Sequence, residues 1–252
     1  RIIFANVQKV VAYMLSNSFA EVLIIFMSII LGWPTPLLVA QILWIHLICD
    51  GPSDIILGFE PKENGIMDEK PKSQKEPILT DVGKILIYVI SISSAIFGLL
   101  TFNHYSQVHQ DVAAGRSIVF ASLAINSLIY IFAYRSLRVP IFRMNKLSDN
   151  KPLIWTVLLG LLTIFIAFMI PGLRSVLGLV MLSFSEWMMI IGFAVSLMMV
   201  VEIAKAIANK KIAPTASNQS EKNKKLKVHI NEWFDISGDK VKLNNGIDKK
   251  EV

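Results

Sequence analysis

The sequence predicts an all-α, polytopic membrane protein: a six-helix transmembrane bundle followed by a disordered, basic C-terminal tail. Three observations carry this reading. The 252-residue chain is 54% hydrophobic with a mean hydropathy of +0.55, more apolar than a soluble domain of this length. Six apolar runs, about 7–31, 37–58, 82–102, 117–134, 152–171 and 184–204, can each cross a hydrocarbon core of roughly 30 Å. The charge is also one-sided. If the first helix enters from the cytoplasm and the spans alternate, 23 of the 25 Lys and Arg residues lie on the cytoplasmic side, leaving only Arg116 and Arg174 outside. The positive-inside rule then places both termini in the cytoplasm. The expected domains are a membrane domain over 1–205 and a polar cytoplasmic tail over 206–252. The bilayer is the expected partner of the bundle, and no nucleic-acid partner is expected.

The first run, 7–31, follows an amphipathic start in which Arg1, Asn6, Gln8 and Lys9 are expected to stay wet. Its apolar part holds Asn17, Ser18 and Glu21, which share a helix face at i,i+4 and i,i+3 spacing. Asn and Ser there serve either as helix–helix glue or as ligands. Glu21 demands more, because a buried carboxylate needs a cation, a proton or a partner. The only Lys and Arg residues in these runs, Lys9 and Lys84, lie near run ends and leave none at mid-depth to supply one. A tight external turn, Gly32-Trp33-Pro34-Thr35-Pro36, ends the run, with Trp33 as an interfacial anchor.

The second run places His46, Cys49, Asp50 and Asp54 on one face of a helix, with Gly51-Pro52 between the two Asp residues. An ionised Asp near a membrane midplane costs about 2.5–3.5 kcal/mol on insertion scales. Pro52 lacks an N–H and clashes with the preceding turn, so unwound backbone with released carbonyls is expected beside the carboxylates. The residues read as an intramembrane cation site centred on Asp50. Asp54, one turn on, is a ligand, a gate or a snorkelling group. His46 and Cys49 are ligands, proton carriers or satisfied core residues. The lone Cys49 lies within a span, so no internal disulfide is possible.

The third run carries Ser91, Ser93, Ser94 and Gly98 and reads as small-residue packing. His104 and His109, in the loop after it, are too exposed and too loosely spaced to argue for a metal site. The fourth run has Asn126 and Ser127 at mid-depth, either completing the cavity or bonding a neighbouring helix. The fifth reads as scaffold. The sixth ends with Glu202 and Lys205, a local pair near the cytoplasmic surface. The Lys-, Asn- and Ser-rich tail cannot support a packed core.

The segments RIIFANVQK, SNSFAEV, QILWIHLICDG, LGFEP and GIMDEKP, in this order, resemble the last six transmembrane helices of P-type cation-transporting ATPases, most closely the calcium-pump branch. That branch shows Leu-Trp-x-Asn-Leu-x-Thr-Asp-Gly and Ile-Met-Asp-x-x-Pro. The resemblance covers about 1–205 and is most specific over 1–72. It implies a cation held by oxygens between these helices. The implied set is Ser18, where calcium pumps have Asn; Glu21; His46 in place of Asn; Cys49 in place of Thr; Asp50; and Ser127, with Asn126 beside it. Calcium takes six to eight hard oxygens, whereas imidazole and thiol suit transition metals or protons better. The resemblance therefore implies a transported cation, calcium-like or another.

The family's Asp-Lys-Thr-Gly phosphorylation motif, its Thr-Gly-Glu motif, its nucleotide-binding domain and its first four helices are not in this sequence. The chain alone is not expected to hydrolyse ATP. Mg-ATP would act only through a catalytic part, in the same longer polypeptide or a separate subunit. The first residue being Arg1, the chain is expected to be part of something longer. The competing expectations are a stand-alone, non-catalytic membrane partner and a passive ion or proton pathway.

Overall fold

The computed structural model describes residues 2–61, 77–137 and 150–208, whose regular elements are all helices, with no strand among them. The elements are α1 (Ile2–Ile30), α2 (Val39–Leu43), a π-helical segment (Trp44–Asp50), α3 (Gly51–Gly58), α4 (Asp81–Asn103), a second π-helical segment (His104–Val108), α5 (Val112–Tyr134), α6 (Lys151–Met169), α7 (Pro171–Val176) and α8 (Phe184–Ala208). The expected tail and the Ile66-Met67-Asp68 motif lie outside the described residues, apart from the first few residues of the tail, which extend α8.

Five helices are long and apolar enough to cross a membrane without interruption: α1, α4 with its π-helical extension, α5, α6 and α8. The second expected span is instead assembled from α2, the π segment and α3, which run on without a loop. Here the expectation of unwound backbone is corrected. The chain stays helical through Gly51, with φ −51° and ψ −49°, and widens before the proline. Pro52 falls in the first turn of α3, where its missing N–H is least costly. Widening to i→i+5 bonding accommodates the ring that would clash in a continuous α-helix, and single π turns of this kind recur at functional sites.

Side-chain caps start three of the long helices. Thr80 accepts from the Gly83 N–H, Asp111 from Ala114 and Asn150 from Leu153. α5 is the central helix, buried on nearly all sides from Ala114 to Tyr134. Its apolar residues run all round, as a helix enclosed by others requires. α1 lies along α4, and close approach is possible there because Gly98 has no side chain: a Cβ would sit 2.7 Å from Ile24 Cδ1. α6 packs on the π segment in the same way, since a Cβ on Gly160 would meet the Cys49 carbonyl at 3.2 Å and the Leu128 methyls at 2.8 Å. The outer faces of α6 and α8 are apolar and exposed, with Trp155, Leu162, Phe165, Met188, Val195 and Met199 among the outward residues. That is the surface a bilayer covers.

At one end of the bundle, polar residues expected to be wet are buried. Asn6 donates to the Gly58 and Glu60 carbonyls at 3.1 and 2.8 Å, and Gln8 donates to the Pro77 carbonyl at 3.3 Å. Lys9 is buried beside them. The chain leaving α3 folds over this end of α1, so the carbonyls it brings replace water. Glu60 meets Arg135 Nε at 2.7 Å and accepts from Asn150 Nδ2 at 2.6 Å, all three buried. Lys205, expected near the surface, is fully buried. It donates to the Ala133 carbonyl at 2.8 Å and pairs with Glu202 at 3.2 Å, tying α8 to the C-terminal turn of α5. A cation at a helix C-terminus is favourably placed for the helix dipole.

Candidate intramembrane cation site

Two rungs join α1 to the π segment. Asn17 Nδ2 donates to Asp50 Oδ2 at 2.9 Å, and His46 Nε2 lies 2.9 Å from Glu21 Oε2. Residues 17 and 21 are one turn apart on α1, as are 46 and 50 on the facing segment, so the rungs are about one turn apart along antiparallel chains. This is the pairing partner the sequence did not supply for Glu21: an imidazole rather than a Lys or Arg.

Asp50 is the deepest of these groups, 1% exposed. Its second oxygen accepts from Ser127 Oγ at 2.6 Å, so α1 and α5 reach it from two sides. The Tyr130 hydroxyl donates to Asn17 Oδ1, which fixes that amide with its NH2 toward Asp50. Among the described residues, Asp50 therefore has neutral hydrogen-bond donors and no Lys or Arg in contact. Buried charge is tolerated only when paired or liganded, so a carboxylate placed this way suits an ion that comes and goes.

Around this core the other expected residues divide. Cys49 is fully buried, and its Sγ lies 3.8 Å from Thr163 Oγ1 of α6, on the side away from the Glu21 rung. Asp54 Oδ1, Ser53 Oγ and both amide atoms of Asn126 are buried with no hydrogen-bond partner among the described residues. Such groups are scarce in native folds and mark places where a ligand or water completes the shell. Ser18 is not drawn into the cluster; it lies on the exposed side of α1. His46 keeps about a third of its side-chain surface exposed and so sits at the mouth, with Asp50 beneath it.

Sequence reasoning missed Tyr130 and Thr163. Tyr130 reads as one more aromatic in an apolar run. The available signal was its i,i+3 spacing from Ser127, which places both on the face turned to Asp50. Tyr13, Tyr130 and Tyr134 also form a ring cluster with centroids 5.7–6.2 Å apart, and Ser16 Oγ bonds the Tyr134 hydroxyl at 2.6 Å. This polar-tipped aromatic layer floors the site. Thr163 shows that α6 is not scaffold alone, since it touches Cys49.

The family model described as "Cation transporting ATPase, C-terminus" matches residues 34–207, which include the π segment and every helix after it. Calcium-transporting ATPase 1 of Bacillus cereus is 28% identical over 224 residues, covering 81% of this chain and 25% of the relative. Calcium-transporting ATPase of Bacillus subtilis is 28% identical over 198 residues, 77% of this chain and 22% of the relative. Calcium-transporting ATPase type 2C member 1 of Bos taurus is 29% identical over 223 residues, 86% of this chain and 23% of the relative. The chain thus spans about a quarter of the length of the curated relatives it matches. With a family model covering most of its helices, the chain belongs to the family of cation-transporting ATPase C-termini.

Proposed function

We propose that this chain is the C-terminal membrane domain of an ATP-driven P-type cation pump, and that it holds the transported cation between α1, the π segment and α5. The observation that carries the proposal is the pair of buried carboxylates, Glu21 and Asp50, one turn apart and bonded, among the described residues, to an imidazole, an amide and a hydroxyl. Glu21, Asp50 and Ser127 supply hard oxygens, which suit calcium, while the Asn17 amide holds Asp50 through its N–H. His46 adds a softer, titratable donor at the mouth. Asn126 and Asp54 hold oxygens without a hydrogen-bond partner among the described residues, and they are the proposed reserve of ligands as the ion moves. In this reading Ser18 contributes only if other helices of the pump cover its face of α1.

The composite α2–π–α3 element is proposed as a sixth crossing. It runs 20 residues from Val39 to Gly58, about 30 Å at 1.5 Å per residue. Six crossings and the charge asymmetry would put both ends of the chain in the cytoplasm. Mg-ATP binding and phosphorylation belong to the remaining three quarters of such a pump, and the bundle's part is to bind the ion and alternate its exit. The names of the relatives favour calcium as cargo, while His46 and Cys49 argue for a broader choice.

The test is cation-stimulated phosphorylation of the intact pump. Asp50→Asn and Glu21→Gln keep size and remove charge. Each is expected to raise the cation concentration required while leaving phosphorylation from inorganic phosphate intact. Unchanged cation dependence in both would remove these residues from the site.

A further inference from the structure

His104 and His109 are five residues apart, which on an α-helix of 3.6 residues per turn separates them by about 140°. The structure winds this stretch as a π-helix instead. The His109 N–H bonds the His104 carbonyl at 3.2 Å, an i→i+5 bond that stacks the two residues on one side. Their Nε2 atoms stand 3.2 Å apart. The expectation that they are too loosely spaced, made for a loop, is thereby corrected: the stretch is a π turn that brings the two rings together.

The turn is built to hold this pair. Gln110 has φ +56°, a left-handed conformation uncommon for a residue with a side chain. It allows the Asp111 N–H to reach back to the Tyr105 carbonyl at 2.9 Å while the Asp111 side chain caps α5. His109 is therefore clamped between the π segment and the first turn of α5. Tyr105 packs against both imidazoles, at 5.3 and 5.9 Å between ring centroids. Strain held in place by its surroundings is a pointer to function.

We propose that His104 and His109 form a two-histidine site for a borderline transition-metal ion such as Zn2+, Ni2+ or Cu2+ on the turn joining α4 and α5. Two metal–nitrogen bonds of about 2.0–2.1 Å at angles between square-planar and tetrahedral span about 2.9–3.4 Å. The observed nitrogen separation lies within that span. In the metal-free protein the same distance is an N–H···N hydrogen bond. A small turn of each ring aims both lone pairs at one point. Among the described residues no group of three or more His, Cys, Asp or Glu side chains surrounds a common point, so solvent completes the shell and the ion stays exchangeable. Calcium and magnesium prefer oxygen and do not compete. The site is thus separate from that of the proposed cargo, and a bound ion would pin the α4–α5 turn.

The experiment uses the intact, untagged protein in lipid nanodiscs, titrated with Ni2+ and with Cu2+ in the presence of excess Ca2+ and Mg2+. Calorimetry should show one saturable site. His104→Ala and His109→Ala should each weaken it by at least about tenfold, as losing one of two ligands requires. The double variant should lose it, and Asp50→Asn should keep it. The Cu2+ electron paramagnetic resonance spectrum should carry coupling to two imidazole nitrogens. If the histidine variants fold poorly, the wild type still decides, because a bound ion should protect both rings from diethyl pyrocarbonate. Absence of saturable binding, binding unchanged in the double variant, or unprotected rings would overturn the site.

Discussion

Two buried carboxylates in this bundle are treated in opposite ways. Glu60 is bonded to Arg135, a guanidinium that never loses its charge, and to the Asn150 amide, in a cluster that gathers the ends of α3, α5 and α6. Asp50 is buried at least as deeply, yet its contacts are an amide and a hydroxyl. A carboxylate with a permanent counter-charge is a fastening. One held by neutral donors keeps its charge available to a mobile ion. In the proposed reading, burial alone does not mark a site in a membrane bundle; burial without a fixed cation does.

The largest effect should come from breaking the fastening. Arg135→Met leaves Glu60 buried without its guanidinium and should destabilise the bundle by about 3–5 kcal/mol. Asp50→Asn, in the absence of transported cation, should shift thermal stability little or upward, since no counter-charge is stranded. Thermal unfolding of the two variants in the same detergent checks the contrast. Equal destabilisation by both would erase the distinction between the two carboxylates.

Next in size is the packing that brings α6 against the π segment. Gly160→Ala places a Cβ 3.2 Å from the Cys49 carbonyl and should cost about 1–3 kcal/mol. Its cation affinity should fall as well, because the same carbonyl precedes Asp50. Affinity preserved at reduced stability would show that the π segment is not held from the α6 side. A smaller effect is expected from Tyr130→Phe, which removes the hydrogen bond orienting Asn17 and should cost about 0.5–1.5 kcal/mol. Cation affinity should drop by a comparable amount if the Asn17 orientation matters to the site.

The subtlest effect is on ion choice. His46→Asn together with Cys49→Thr replaces a titratable ring and a sulfur by oxygens. The preference for calcium over manganese should rise. Protonated His46 holds Glu21 against an incoming cation, so wild-type affinity should climb as pH rises and the imidazole loses its proton, and the variant should lose that slope. Cation-dependent phosphorylation at several pH values reads both. An unmoved ion order would leave Cys49, which faces Thr163 of α6, as core.

The sequence makes much of this legible for physical reasons. Long apolar runs locate helices because a bilayer leaves few alternatives, and polar residues inside them locate the site because each is expensive there. Glu21, Asp50 and Ser127 were singled out in this way, and the structure hydrogen-bonds Ser127 to Asp50 and His46 to Glu21. What escaped was winding. Whether Gly51-Pro52 unwinds the chain or widens it depends on neighbours such as Gly160, which belong to another helix. The same holds for His104 and His109, whose proximity exists only in a π turn. Asn6 and Gln8 looked solvated because the carbonyls that receive their amides come from distant residues, Gly58, Glu60 and Pro77. Ser18 shared a helix face with Glu21 in the sequence yet lies on the exposed side, because a face about 100° wide includes both the buried edge and the open one.

The most direct measurement is equilibrium binding of the transported cation to the intact pump in the absence of ATP, comparing wild type, Asp50→Asn and Glu60→Gln. Calcium is the first ion to use. The account predicts that Asp50→Asn weakens binding by about tenfold to hundredfold, the equivalent of about 1.5–3 kcal/mol for a lost charged contact. Glu60→Gln, even if it lowers stability, should leave the affinity of the folded protein unchanged. Equal losses in the two variants, or a wild-type affinity in Asp50→Asn, would contradict the claim that the ion is held at Asp50.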